Sequence, residues 1–236
     1  MADDWASGVL PHGPLTELAP GLWSATGSIK GMPLKRNMIV ARLPDGRLVV
    51  HSAVALDDEN MKKLESLGDV AFILVPGPGH RLDVKRYQER YRGAKVVAPA
   101  AARAKVEQVC PVAASCEEAL SGLPGFRWQA IPGLPVELAY ELDVGEGTAL
   151  IVNDVLGHGP PEPGFGGWLF AQLGTPGGKL ALPRIVRFFQ VKDRPAVCAW
   201  LAAQGERDDL RVLTTSHGAA ITGDVAGQIR QAATIS

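Results

Sequence analysis

Residues 69–100 read DVAFILVPGPGHRLDVKRYQERYRGAKVVAPA, and this stretch decides the fold. Residues 71–75 are a short unbroken apolar run, the pattern of a strand buried on both faces. Pro76 ends that strand, because proline has no N–H to give to a ladder. Pro76-Gly77-Pro78-Gly79 then turns the chain at the strand's C-terminal end. Val84, Tyr87 and Tyr91 recur at helical spacing and give the next segment one buried stripe. Residues 95–97 form a second apolar strand. Strand, helix and strand together make a crossover between parallel strands. In open α/β sheets ligand chemistry gathers beyond the C-terminal ends of such strands. His80 and Arg81 stand at that address.

Upstream, residues 1–20 are punctuated by proline and glycine and read as a surface arm, with His12 exposed in it. Residues 21–236 read as one domain. Residues 22–25, 36–41 and 47–50 are three strands, the last two joined by a Pro44-Asp45-Gly46 turn. Asp57-Asp58 caps a helix carrying Met61, Leu64 and Leu67, which stops at Gly68. Downstream of the crossover a helix runs through Val109, with Val106 and Val109 on one face. A short helix is expected around residues 117–120. Strands at 126–131, 136–142 and 148–152 follow, separated by short turns, so they form an antiparallel meander. Asp193 and Pro195 start a helix with Val197, Trp200 and Leu201 inward. Residues 211–214 are a last strand, and Thr222 or Asp224 caps a final helix carrying Val225 and Ile229. Each half therefore repeats antiparallel strands followed by helix, strand and helix. The economical architecture is a four-layer αββα sandwich, two mixed sheets face to face with helices outside.

The composition narrows the function. Hydrophobic residues make up 46% of 236, enough for a sizeable core, which excludes global disorder. Lysine and arginine total 24 against 25 acidic residues, a net charge of −1 without charged blocks. Neither nucleic acid nor an anionic membrane is expected as a partner. Cys110, Cys116 and Cys198 are odd in number and lack a C-x-x-C pair, which suits buried packing in a reducing compartment. The acidic N-terminus has no apolar core of a signal peptide, and no run reaches membrane-spanning length. A cytoplasmic protein is expected. Residues 157–178 hold eight glycines and four prolines together with Phe165, Trp168 and Phe170. That is too long and irregular for a mere connector. Its aromatic face, Trp168 included, suits either a ligand or a second copy of the chain in a homodimer.

Four stretches, RLPDGRLVVHSAV at 42–54, LGDVAFILVPGPGHRLDVKRYQERYRGAKVVAP at 67–99, IVNDVLGH at 151–158 and TSHGAAITGD at 215–224, occur in an order that resembles the metallo-β-lactamase-fold hydrolases. More narrowly they resemble a divergent bacterial branch whose central unit reads P-N-x-x-H-H-L. The resemblance spans about residues 20–235 and implies the αββα sandwich. It also implies a metal site, which must be checked ligand by ligand. The superfamily's H-x-H-x-D-H signature falls on Gly77, Gly79, Arg81 and Leu82, so all four of those ligands are lost. The next ligand histidine falls on Leu134. The bridging aspartate is present as Asp154 and the last histidine as His217, while an aspartate usual after the early hairpin strand is replaced by His51. Within the narrower branch His80 matches the first histidine, Arg81 replaces the second and Gly77 replaces the asparagine. The standard dinuclear site is gone.

Two kinds of chemistry remain open. In one, His51, His80, Asp154 and His217, each at the end of a predicted strand, converge on one divalent ion, zinc or iron. His80, Asp154 and His217 would then be the metal ligands and catalytic residues of an ester, amide or phosphoester hydrolase, with Asp154 orienting water. His158, four residues after Asp154, is either a base at the loop root or an exposed loop residue. In the other, no metal binds: Gly77 and Gly79 lead into a helix N-terminus, and Arg81 beside His80 holds a small anionic molecule. The sequence favours this second, metal-free binding protein, and names no substrate.

Overall fold

A computed structural model of the chain describes residues 5–158, 174–175 and 179–236. Twelve strands among the described residues form two sheets. The first holds β1 (Thr16–Ala19), β2 (Leu22–Ile29), β3 (Met32–Arg42), β4 (Leu48–His51), β5 (Val70–Leu74), β6 (Lys95–Ala98) and β7 (Ala114–Ser115), side by side in chain order. Pairing is antiparallel from β1 to β4 and parallel from β4 to β7. The second sheet runs β12 (Ile221–Thr222), β11 (Leu210–Thr214), β10 (Thr148–Ile151), β9 (Leu138–Asp143), β8 (Phe126–Ala130). Only its β10–β11 pair is parallel. Both sheets are therefore mixed, and strands 8 to 10 form the meander expected from their short turns.

Strand alternation sorts the apolar side chains into three layers. On β3, Met38 and Val40 face outward and pack with Met61, Leu64, Val84 and Tyr87 of the helices Asp58–Leu67 and Val84–Arg90. Ile39 and Ala41, one residue out of phase, face inward and meet Leu138, Tyr140, Leu142 and Ile151 of the second sheet. On the far side Leu150 and Leu213 meet Val197, Trp200, Leu201, Val225 and Ile229, from the helices Arg194–Gly205 and Val225–Ile235. A period of two puts successive residues on opposite faces, so a strand covered on both faces must be apolar throughout. Val96, Val97 and Ala98 of β6 show this, lying alternately in the outer and the inner layer.

The structure corrects several boundaries. The segment read as an arm joins the fold: β1 pairs with β2, and Leu15 is fully buried. His12, expected exposed, has a buried side chain whose Nδ1 donates to the Gly13 carbonyl while Nε2 accepts the Asp57 N–H. The helix after Pro99 is confined to Arg103–Val106, and Val109 is exposed. The strand β12 and the short helix Arg184–Phe189 carry no clear sequence signal. No helix among the described residues is long and apolar enough to cross a membrane.

Candidate metal centre

Where β5, β10 and β11 end, three loops bring His80, Asp154 and His217 together. One ligand atom from each lies within 4.8 Å of the other two. His80 Nε2 sits 3.1 Å from both Asp154 oxygens, and His217 Nε2 is 3.6 Å from Asp154 Oδ1. The two rings tilt toward each other with centroids 5.8 Å apart. Four-coordinate zinc with bonds of about 2.1 Å sets neighbouring ligand atoms about 3.4 Å apart, so the two measured edges bracket what a single ion needs. The nitrogens facing away from Asp154 are also engaged. His217 Nδ1 donates to the Lys35 carbonyl at 2.6 Å, and His80 Nδ1 lies 3.3 Å from Ser52 Oγ. With Nδ1 carrying the proton on each ring, both Nε2 lone pairs point to the carboxylate, the arrangement a ligating histidine requires. The donor set therefore fits one divalent ion. His80 is buried, and the site opens to solvent on the His217 side.

Each loop is held by buried polar groups. Ser52 takes a left-handed φ of 55°, the one non-glycine among the described residues to do so, and this turn aims its hydroxyl at His80. The His80 loop is closed from below by Arg36, which pairs with Asp83 and donates to the Ala53 carbonyl. Asp83 also accepts the Ala55 N–H at 3.0 Å. The His217 loop is gripped by Asn37, whose Nδ2 donates to the carbonyls of Thr215 and Gly218. Ser216 donates to Asn153 Oδ1, tying the His217 loop to the Asp154 loop. Beneath Asp154, buried Glu137 accepts the N–H groups of Asn153, Asp154 and Val155.

The electrostatics follow from this burial. Burial works to raise the Asp154 carboxyl, but the imidazoles of His80, His217 and His51 outweigh it and hold it below the usual carboxylate range. Burial, then Asp154's charge, works to raise the Glu137 carboxyl, while the three backbone donors that face its oxygens favour the ionised form. Burial is also the main cause lowering His217, with Asp154 opposing it.

The other predicted residues do not join the cluster. His51 faces inward from β4, edge-on to Tyr140 at 5.7 Å, and both its ring nitrogens are buried without a partner among the described residues. Burial, with a smaller contribution from His80, lowers its pKa to about 3. Gly77 and Gly79 do not lead straight into a helix; the helix begins at Val84. Asp83, its N-cap residue, makes no cap bond because its carboxylate is committed to Arg36 and Ala55. A side chain at Gly77 would make ordinary contact with Asn153, and one at Gly79 would meet open space, so close approach requires neither glycine. Arg81 turns away to the Lys105 carbonyl and the Gln108 side chain. His158 sits against Gly218 and donates its backbone N–H to the His217 carbonyl, with Nδ1 buried and without a partner among the described residues. Burial lowers its pKa. Leu134, on which the sequence resemblance lays a ligand histidine, is fully buried in the outer apolar layer of the second sheet. Trp168, with residues 159–173 and 176–178, lies outside the described residues. Sequence reading missed Ser52, Asn37, Asn153 and Glu137. For Ser52, Asn153 and Glu137 the available signal was a polar residue beside a strand end in an apolar context; Asn37, in the middle of β3, carried none.

Comparison with solved structures places the fold. FIM-1 metallo-β-lactamase from Pseudomonas aeruginosa, in its mono-zinc form, is similar with a TM-score of 0.63 and 13% identity, over 96% of each chain. A metallo-β-lactamase from Erythrobacter litoralis, with β-mercaptoethanol in its active site, gives 0.61 and 12% over 93% of this chain and 95% of that one. DIM-1 metallo-β-lactamase, exposed to ceftazidime, gives 0.62 and 7% over 95% and 98%. No family model and no curated protein sequence matches the chain. At these identities the likeness concerns fold alone. End to end, and with little shared sequence, the chain has the metallo-β-lactamase fold.

Proposed function

We propose that this protein is a hydrolase using a single divalent ion, zinc or iron, held by His80, Asp154 and His217. The observation that carries the reading is the convergence of three ligand atoms within 4.8 Å, with both imidazoles fixed from behind. That one similar structure is a mono-zinc form supports a single ion in this fold. Such an ion supplies Lewis acidity, polarising an acyl or phosphoryl oxygen and acidifying water. The chain's own residues do the rest. The Lys35 carbonyl, which can only accept, keeps Nδ1 protonated on His217, and the Ser52 hydroxyl can take the Nδ1 proton of His80, so that Nε2 of each is left to ligate. The second oxygen of Asp154 orients a water, and the open His217 side admits an ester, amide or phosphoester. The metal-free reading at Gly77, Gly79 and Arg81 loses its support, because Arg81 is bound elsewhere and the glycines do not lead directly into a helix N-terminus.

Elemental analysis of untagged protein, purified without chelator and with metal added back, tests the proposal alongside chromogenic ester and phosphoester assays. Near-stoichiometric zinc or iron and turnover, both lost in Asp154→Ala, are expected. Protein that neither retains metal nor is stabilised by it overturns the reading. Titration of small anions against wild type and Arg81→Ala would then follow.

A further inference from the structure

We infer that Glu137 is a positioning residue for the divalent ion, acting through the backbone that carries Asp154; this rests on the metal-site reading above. Glu137 stands just before β9, three residues after Leu134, and is almost wholly buried. Its Oε1 lies 2.7 Å from Asn153 N and 3.3 Å from Val155 N, and its Oε2 is 3.0 Å from both Asp154 N and Val155 N. Three successive N–H groups thus converge on one carboxylate, the concave arrangement in which backbone binds an anion. The segment they belong to is neither helix nor strand, so it has no ladder to set its shape. The carboxylate sets it. Asp154 is the middle residue of the three, and its side chain emerges on the side of His80 and His217.

The chemistry explains why the residue is acidic. Both oxygens face donors, so the position needs a side chain that only accepts. Glutamine has nearly the same volume but replaces one acceptor by an NH2 group, which would confront an N–H. The loop must then shift, and Asp154 moves with it. Supporting groups of this kind typically change metal affinity by about 10- to 100-fold.

The test uses the full chain, with Co²⁺ as the probe because its visible absorption reports ligand geometry. Wild type, Glu137→Gln and Glu137→Asp are titrated, with the unfolding midpoint of each metal-free protein measured in parallel. Aspartate keeps two acceptor oxygens on a shorter stem. The expected order of affinity is wild type, then Asp, then Gln, the last weaker by about 10- to 100-fold with an altered spectrum. This must hold in variants that remain folded. A folded Glu137→Gln protein with wild-type affinity and spectrum overturns the inference while leaving the metal site intact. Loss of folding in both variants also overturns it, because Glu137 would then serve the fold and not the site. Failure of wild type to bind Co²⁺ overturns both readings together.

Discussion

The first sheet brings one imidazole, His80, to the rim, whereas the second brings Asp154 and His217, and the two sides are secured differently. On the first side the loop hangs on side chains: the Arg36–Asp83 pair below it and Ser52 beside His80. On the second side buried side chains grip backbone: Glu137 holds the N–H groups around Asp154, and Asn37 holds the carbonyls around His217. Backbone gripped in this way tolerates little change, since each orphaned buried group costs about 1–3 kcal/mol. The first side rests instead on one buried ion pair, so its failure is concentrated at a single contact.

The sharpest way to break the contrast is to attack the first loop's ion pair. Asp83→Ala strands Arg36, which is 3% exposed, so urea unfolding should register a loss of about 3–5 kcal/mol. A loss below about 1 kcal/mol would mean that this side is not fixed by the pair. On the opposite side Asn37→Ala orphans the Thr215 and Gly218 carbonyls and should cost about 2–3 kcal/mol by the same measurement. His51 lies between the two sides and gives a pH signature. Its folded pKa of about 3 lies below the ordinary 6.5, so the unfolded chain takes the proton first. Stability is then full above pH 6.5 and falls as pH drops toward 3. By pH 5 wild type should have lost about 2 kcal/mol more than His51→Leu, because His158 and His217 titrate in both proteins. The smallest effect belongs to Arg81→Ala, since the hydrogen bonds of Arg81 among the described residues go to the exposed Lys105–Gln108 surface. Stability and metal affinity should both stay within about 0.5 kcal/mol of wild type, by unfolding and by titration.

The legible parts of the chain are those where period and chemistry agree locally. The apolar run of β5 and the meander of β8 to β10 declared themselves, and so did the Asp193–Pro195 helix start. His80, Asp154 and His217 were readable as polar residues at the ends of predicted strands. What could not be read was which neighbours complete each of them. Asn37 and Gly218 are 181 residues apart, and no local pattern marks Asn37 as the clamp of a distant loop. Glu137 looks like an ordinary polar residue before a strand until the fold lays three N–H groups on it. Arg81 erred the other way: a guanidinium beside a histidine suggests an anion fork, but the Lys105 carbonyl takes it. His51 shares the strand-end position of the other candidates, yet the phase of β4 turns it inward with Val49.

Anomalous diffraction at the zinc edge, from crystals grown with zinc, tests the central claim most directly. One peak is predicted, about 2.0–2.2 Å from His80 Nε2, an Asp154 oxygen and His217 Nε2. No peak there, or a peak ligated by a different set of residues, would contradict the account.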